Sequence, residues 1–188
     1  MNAQYAGISS AYVRSGKKER KEQKMKTEKI LNMIVKDFIK YQEGKRARQV
    51  LVGRCQYAGT DLIGYTQERT NAYFLLPSYF PFDIEKLSGH EMKFNTFTEN
   101  VPLEKLENTH SKIDTVSCGK KATLRVYKTA DGKNVYINDK LFVGFENDII
   151  LTGTSETAPV YVWEGGSIGN AFPAGLVMPT RYNEGAEE

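Results

Sequence analysis

The chain has 188 residues, 40% of them hydrophobic, which suits one packed domain or one domain with an extension. No stretch approaches the run of about 18 apolar residues that a transmembrane helix needs. The N-terminal region is polar and then basic, with no apolar segment of signal-peptide length, so the expectation is a cytoplasmic protein with no membrane partner.

The formal net charge of +3 conceals an asymmetry. Residues 1–48 carry 13 Lys/Arg against 5 Asp/Glu, whereas residues 49–188 carry 13 against 18. A basic arm on a mildly acidic body fits a protein that meets a polyanion with one face; a solvated tail that keeps the chain dispersed is the other reading. Eleven Tyr, nine Phe and one Trp favour sheet, because aromatic rings fit a pleated, half-buried surface. Cys55 and Cys118 leave a disulfide open, but two reduced, half-buried thiols are the plainer expectation.

Residues 1–16 are small and polar and read as disordered, and the Lys/Glu-rich run from Lys17 has no apolar face. Thr27 then supplies a helix N-cap oxygen. Ile30, Leu31, Ile34, Val35, Phe38 and Ile39 follow at three- and four-residue spacing, and Gly44 stops the run. The spacing predicts an amphipathic helix over about 27–43 with Lys29, Lys36 and Lys40 on its polar side. Strands are expected over Gln49–Cys55, Leu62–Thr66 and Ala72–Leu76, with turn chemistry at Ala58–Asp61. Pro77 and Pro81 break the third, Ile84–Leu87 suits a short helical turn, and Glu91–Thr98 alternates in strand fashion. Polar residues 99–114 suggest a loop carrying a short helix.

The rest of the chain has a clearer pattern. Thr123–Thr129 and Lys133–Ile137 flank Ala130-Asp131-Gly132, a hairpin signal because Asp-Gly suits turns with positive φ. Asn138–Phe145 suits a short helix with Leu141, Phe142 and Phe145 inward. Asp148–Thr152, Pro159–Trp163 and Gly175–Pro179 read as three strands, with Gly165–Asn170 a mobile loop. The expected organisation is a flexible basic arm (1–25), an α+β domain (26–182) and an acidic tail (183–188).

No motif in the sequence nominates catalysis. His90 and His110 lack metal-ligand spacing. A Cys118–His110 nucleophile pair has no residue to orient it, since Cys118 sits in a turn-like Ser-Cys-Gly-Lys-Lys. Gly119-Lys120 is not a phosphate loop, because Asp114 and Lys121 occupy the positions that need Gly and Ser/Thr. The expectation is a non-enzymatic protein without cofactor or metal. Lys29, Lys36, Lys40, Arg46 and Arg48 form a basic set able to neutralise phosphates without reading sequence, or simply to stay solvated.

The segment Ile149-Ile-Leu-Thr-Gly-Thr-Ser-Glu-Thr-Ala-Pro-Val-Tyr-Val-Trp163, followed by Gly175-Leu-Val-Met-Pro-Thr-Arg-Tyr182, resembles the closing strands of the bacterial sliding clamp, the β subunit of DNA polymerase III. Val135–Phe142 is similar to that family's strand-to-helix step. Arg48-Gln-Val-Leu-Val-Gly53 and Asp61–Thr66 with Arg69 resemble its Arg-Pro-Val-Leu-x-Gly strand and Thr-Asp-x-x-Arg motif. Gln49 replaces the Pro, Gln67 replaces the Asp, and the Thr–Arg interval is one residue short. The resemblance covers about half of residues 27–182. It implies a single DNA-clamp-like domain, two helices packed on antiparallel sheets, whose basic helix rides on duplex DNA without sequence preference. It also implies a pocket for replication proteins at Thr66, Arg69, Val177, Met178, Pro179 and Arg181. One domain would have to form a homo-oligomer, act alone or pair with a host clamp. A phage-encoded accessory protein fits this reading; a phage or mobile-element inhibitor of a host replication or defence protein is the alternative.

Overall fold

A computed structural model describes residues 32, 36, 43, 50–67, 71–78, 94–117, 120–145, 148–169 and 172–182. Nine strands are described: β1 (Val50–Tyr57), β2 (Thr60–Gln67), β3 (Ala72–Pro77), β4 (Glu107–Ser117), β5 (Lys120–Lys128), β6 (Asn134–Asn138), β7 (Ile149–Thr152), β8 (Val160–Glu164) and β9 (Gly175–Val177). They form two antiparallel sheets, a six-stranded one ordered β1-β2-β3-β9-β8-β7 and a three-stranded one ordered β4-β5-β6. Among the described residues the helical elements are one turn, α1 (Asn95–Thr98), a 3₁₀ helix (Asp139–Gly144) and the helical residues Asn32 and Lys36. Among the described residues the protein is therefore mostly β with few helices, a coarse α+β arrangement. Of the helix expected over 27–43, only Asn32, Lys36 and Glu43 are described, the last of these in a turn; the arm, the tail and the turn at 84–87 lie outside the described residues.

Local chemistry accounts for the hairpins. β1 and β2 are joined by Ala58 and Gly59, both at positive φ (47° and 79°), the two-residue turn whose twist matches that of the strands. β5 and β6 are joined through Thr129–Lys133, where the Thr129 amide donates to the Lys133 carbonyl at 3.0 Å and Gly132 adopts φ 81°. The expected Asp131-Gly132 hairpin is the one observed. Asn138 caps the 3₁₀ helix by accepting from the Lys140 amide at 3.0 Å, and Phe142 and Phe145 are buried as expected.

Two expectations are corrected. Residues 95–98 form a helical turn rather than the end of a strand, closed by the Phe97 amide donating to the Phe94 carbonyl at 3.0 Å. The three-residue spacing of Phe94 and Phe97 lets both rings fall on the same sheet face, which an extended chain would not allow. Residues 107–117 form the eleven-residue strand β4 rather than a loop with a short helix. That strand is polar because it lies at the sheet margin, and its pairing comes from the β5 backbone rather than from its own side chains.

The main core joins the two sheets. Ile63, Tyr65, Phe74, Leu76, Leu151, Val160, Val162 and Val177 come from the larger sheet, and Tyr127, Val135 and Ile137 from the smaller. Phe74 stacks on Phe145 at 4.8 Å and on Tyr65 at 5.8 Å, an offset-ring chain that favours this packing beyond area alone. A second cluster, Cys55, Leu62, Leu75 and Phe94, lies on the other face of the larger sheet, with Tyr57, Tyr73, Phe97 and Phe172 against it. A third, Leu124, Val126 and Tyr136, lies on the other face of the smaller one, with Ile113 and Tyr182 against it.

Two short segments stitch the sheets together at their margins. Before β4, Leu106 donates its amide to the Leu151 carbonyl at 2.9 Å, and Gly153 donates to Glu104 at 3.0 Å, so residues 104–106 border β7. After β9, the Thr180 amide donates to the Tyr136 carbonyl of β6 at 2.7 Å. Each segment leaves one sheet and lines the other.

Candidate partner-binding site

Thr66 is near the end of β2, paired with Tyr73 of β3. It is 2% exposed, and its hydroxyl donates to the Ala72 carbonyl at 2.7 Å across the β2–β3 turn. Ala72 in turn pairs with Val177 of β9, and the Met178 amide donates to the Asn71 carbonyl at 2.8 Å. Thr66 and Val177, far apart in the chain, therefore adjoin the same residue. Val177 also pairs with Val160 and is fully buried in the main core.

Beyond Val177 the chain emerges. Met178, Pro179 and Thr180 are half-buried and Arg181 is exposed. Tyr182 turns back, its ring 4.9 Å from that of Tyr136. Among the expected partner-site residues, the surface is offered by Met178, Pro179 and Arg181, while Thr66 and Val177 fix the strand from which they emerge. Arg69 lies outside the described residues. Of the expected DNA-contacting set, Lys36 is helical and exposed, as is Asn32 four residues earlier. Both positions lie outside the apolar stripe expected from the sequence. Lys29, Lys40, Arg46 and Arg48 lie outside the described residues.

An electrostatic cluster went unnoticed in the sequence. Arg125 of β5 donates through Nε to Asp139 Oδ1, and its guanidinium carbon sits 4.6 Å from the centre of the Phe142 ring. Lys112 of β4 lies directly opposite Arg125, and its Nζ is 3.6 Å from Asp139 Oδ2. Burial works against the charge on Arg125, but hydrogen bonds to Asp139 and Tyr127 outweigh it and hold the guanidinium more firmly protonated than usual. The same carboxylate thus offsets two like charges facing each other across a strand pair and ties the 3₁₀ helix to β5. The hairpin register held the signal: with Arg125 opposite Ile137, Asp139 falls two residues on, along the same edge.

Little else among the described residues invites chemistry. No group of three or more His, Cys, Asp or Glu there could hold a metal ion. His110 is exposed at a register shift in β4 with φ 58°, where its amide donates to Asn108 Oδ1. Cys55 is 4% exposed, and burial pushes its thiol up to about 11. A thiol in that state is a small apolar group rather than a nucleophile. His90 and Cys118 lie outside the described residues. Among them, too, no helix is long and apolar enough to cross a membrane.

No protein-family model matches the chain, and neither a curated protein nor a solved structure matches it. The functional reading therefore rests on its own residues.

Proposed function

We propose that the chain is a clamp-like accessory of DNA replication. It contacts duplex DNA through non-sequence-specific phosphate neutralisation and engages replication proteins through Met178, Pro179 and Arg181. The observation that carries this reading is the junction of Thr66, Ala72 and Val177. The two segments whose residues resemble the clamp family's partner pocket come from distant parts of the chain, yet both flank Ala72 of β3. The exposure of Lys36 adds support for a cationic helix face open to phosphate.

Fluorescence anisotropy with a labelled duplex across a salt series tests the DNA half. Salt-dependent binding is expected, and replacing Lys29, Lys36 and Lys40 with Gln should lower the log–log salt slope by about 3. A chain indifferent to duplex at low salt overturns that half. Capture of replication proteins by the intact chain, reduced in the Arg181→Ala variant, tests the other; equal capture by both proteins removes Arg181 from the site. Light scattering then distinguishes a homo-oligomer from a chain that acts alone or joins a host clamp.

A further inference from the structure

β4 is a margin of the smaller sheet: among the described residues it is paired on one side only, with β5. Its first part satisfies its own backbone. At the register shift between Asn108 and Lys112, the His110 amide donates to Asn108 Oδ1 at 2.9 Å and the Ser111 amide to Thr109 Oγ1 at 3.3 Å. An irregularity of that kind blunts a strand edge. From Lys112 to Ser117 the pairing with β5 is regular again. Lys112, Asp114 and Val116 share one face of this stretch, and all three are exposed, Val116 at 69%. Ile113, on the other face, packs against the Leu124–Val126–Tyr136 cluster. A strand paired on one side turns alternate amides and carbonyls outward, where another strand can take them.

We infer that this edge is the interface of a two-fold dimer, in which β4 pairs antiparallel with β4 of a second copy and Ile113 lies on the axis. The charges select both the occupant and the register. A two-fold that sets a strand antiparallel beside its own copy runs normal to the sheet, so each register centres on one residue facing itself. Centred on Lys112 or on Asp114, the dimer sets like charges directly opposite, which is unfavourable. Centred on Thr115, it sets Asp114 against the partner's Val116. Centred on Ile113, it sets Lys112 opposite the partner's Asp114, and symmetry repeats the pair. Lys112 gains most from this, because across β5 it faces the like charge of Arg125, offset by Asp139 at 3.6 Å. Asp114 is held on the same face by the Thr123 hydroxyl, which donates to Oδ1 at 2.7 Å. On the opposite face the two Ile113 side chains meet and carry the third apolar cluster across the axis. Exposed ion pairs add little affinity, so the backbone ladder and Ile113 hold the dimer while the charges fix its register. The inference does not depend on the function proposed above.

Light scattering on the full chain across a concentration series tests the dimer. The mass should rise from that of one chain toward that of two, and a chain still monomeric at about 1 mM overturns the interface. Lys112→Glu and Asp114→Lys each set like charges face to face, so each alone should weaken dimerisation by about tenfold or more. Mixed in equal amounts, the two variants should pair with each other, because one edge is then acidic and the other basic at both positions. Variants that stay monomeric when mixed, under conditions where the parent dimerises, overturn the register. Circular dichroism establishes that both are folded. A disulfide test reads the register without altering either charge. In a Cys118→Ser chain, Ile113→Cys should give a disulfide-linked dimer under mild oxidation, since residues on the axis face each other within reach of that bond. Val116→Cys in the same chain, displaced along the strand from its own copy, should not. Equal linkage at both positions, or none at either, overturns the placement of Ile113 on the axis.

Discussion

Tyr57 and Trp163 meet edge to face, ring centroids 6.3 Å apart at 73°, although β2, β3 and β9 lie between their strands. In a flat sheet, four spacings of about 4.8 Å would hold β1 and β8 roughly 19 Å apart. The six-stranded sheet is therefore strongly coiled, and the second apolar cluster fills its concave side. Trp163 is 1% exposed, and its indole donates to the buried Thr152 hydroxyl at 2.9 Å. Trp163→Phe should cost about 2–3 kcal/mol, from lost ring volume and an orphaned Thr152 hydroxyl. Tyr57→Ala should cost about 1–2 kcal/mol, because the ring is only half-buried. Urea unfolding followed by circular dichroism measures both; equal effects would mean that the rings do not hold the coil together.

Gly64 faces Phe94 so closely that a Cβ there would lie 2.2 Å from the ring. Phe94 is fully buried and cannot retreat without opening the cluster under α1. Gly64→Ala is expected to destabilise by about 2–3 kcal/mol, and Phe94→Leu in the same chain should recover part of that loss. A double-variant cycle reads the coupling. Additive losses would show that the ring does not press on Gly64.

The turn between β1 and β2 offers a change in the other direction. Ala58 holds φ 47°, a left-handed conformation that costs alanine about 1 kcal/mol and that Asn tolerates. Nothing there conflicts with a larger polar side chain, since Ala58 is exposed. Ala58→Asn should raise stability by about 0.5–1 kcal/mol, seen as a higher melting temperature by calorimetry. An unchanged or lower value would contradict the turn geometry.

Cys55 supplies a pH-dependent signature. Burial raises its thiol from 9.0 to about 11, so between those values the folded chain holds a proton that the unfolded chain releases. The contribution of the protonated thiol is complete below pH 9 and is lost as pH rises toward about 11. Stability of the parent should fall across that window more than that of Cys55→Ala. Native Cys55 should resist a thiol reagent at pH 8 and react only on unfolding; prompt labelling of Cys55 in the native protein, assigned by peptide mapping, would contradict its burial.

Hairpins and the short helix after β6 were readable along the chain because their causes are local. Asp131-Gly132 between two β-rich runs, Ala58-Gly59 at the first turn and Asn138 ahead of the 3₁₀ helix each act on neighbours a few residues away. Alternation in 160–163 likewise divides Val160 and Val162, in the main core, from Tyr161 and Trp163. The neighbours of β9 were a matter for the tertiary structure, since a three-residue strand carries no mark of which backbones will flank it. Only folding set Val177 against Ala72 on one side and Val160 on the other. The same holds for polar β4, whose strand character comes from β5, and for the helical turn at Phe97, which the face of the larger sheet selects. For the candidate site, the resemblance grouped Thr66, Arg69, Val177, Met178, Pro179 and Arg181, and only the tertiary structure buries Thr66 and Val177 while leaving Arg181 exposed. Sequence determines what each segment can become; long-range pairing of distant backbones decides which segments share a surface.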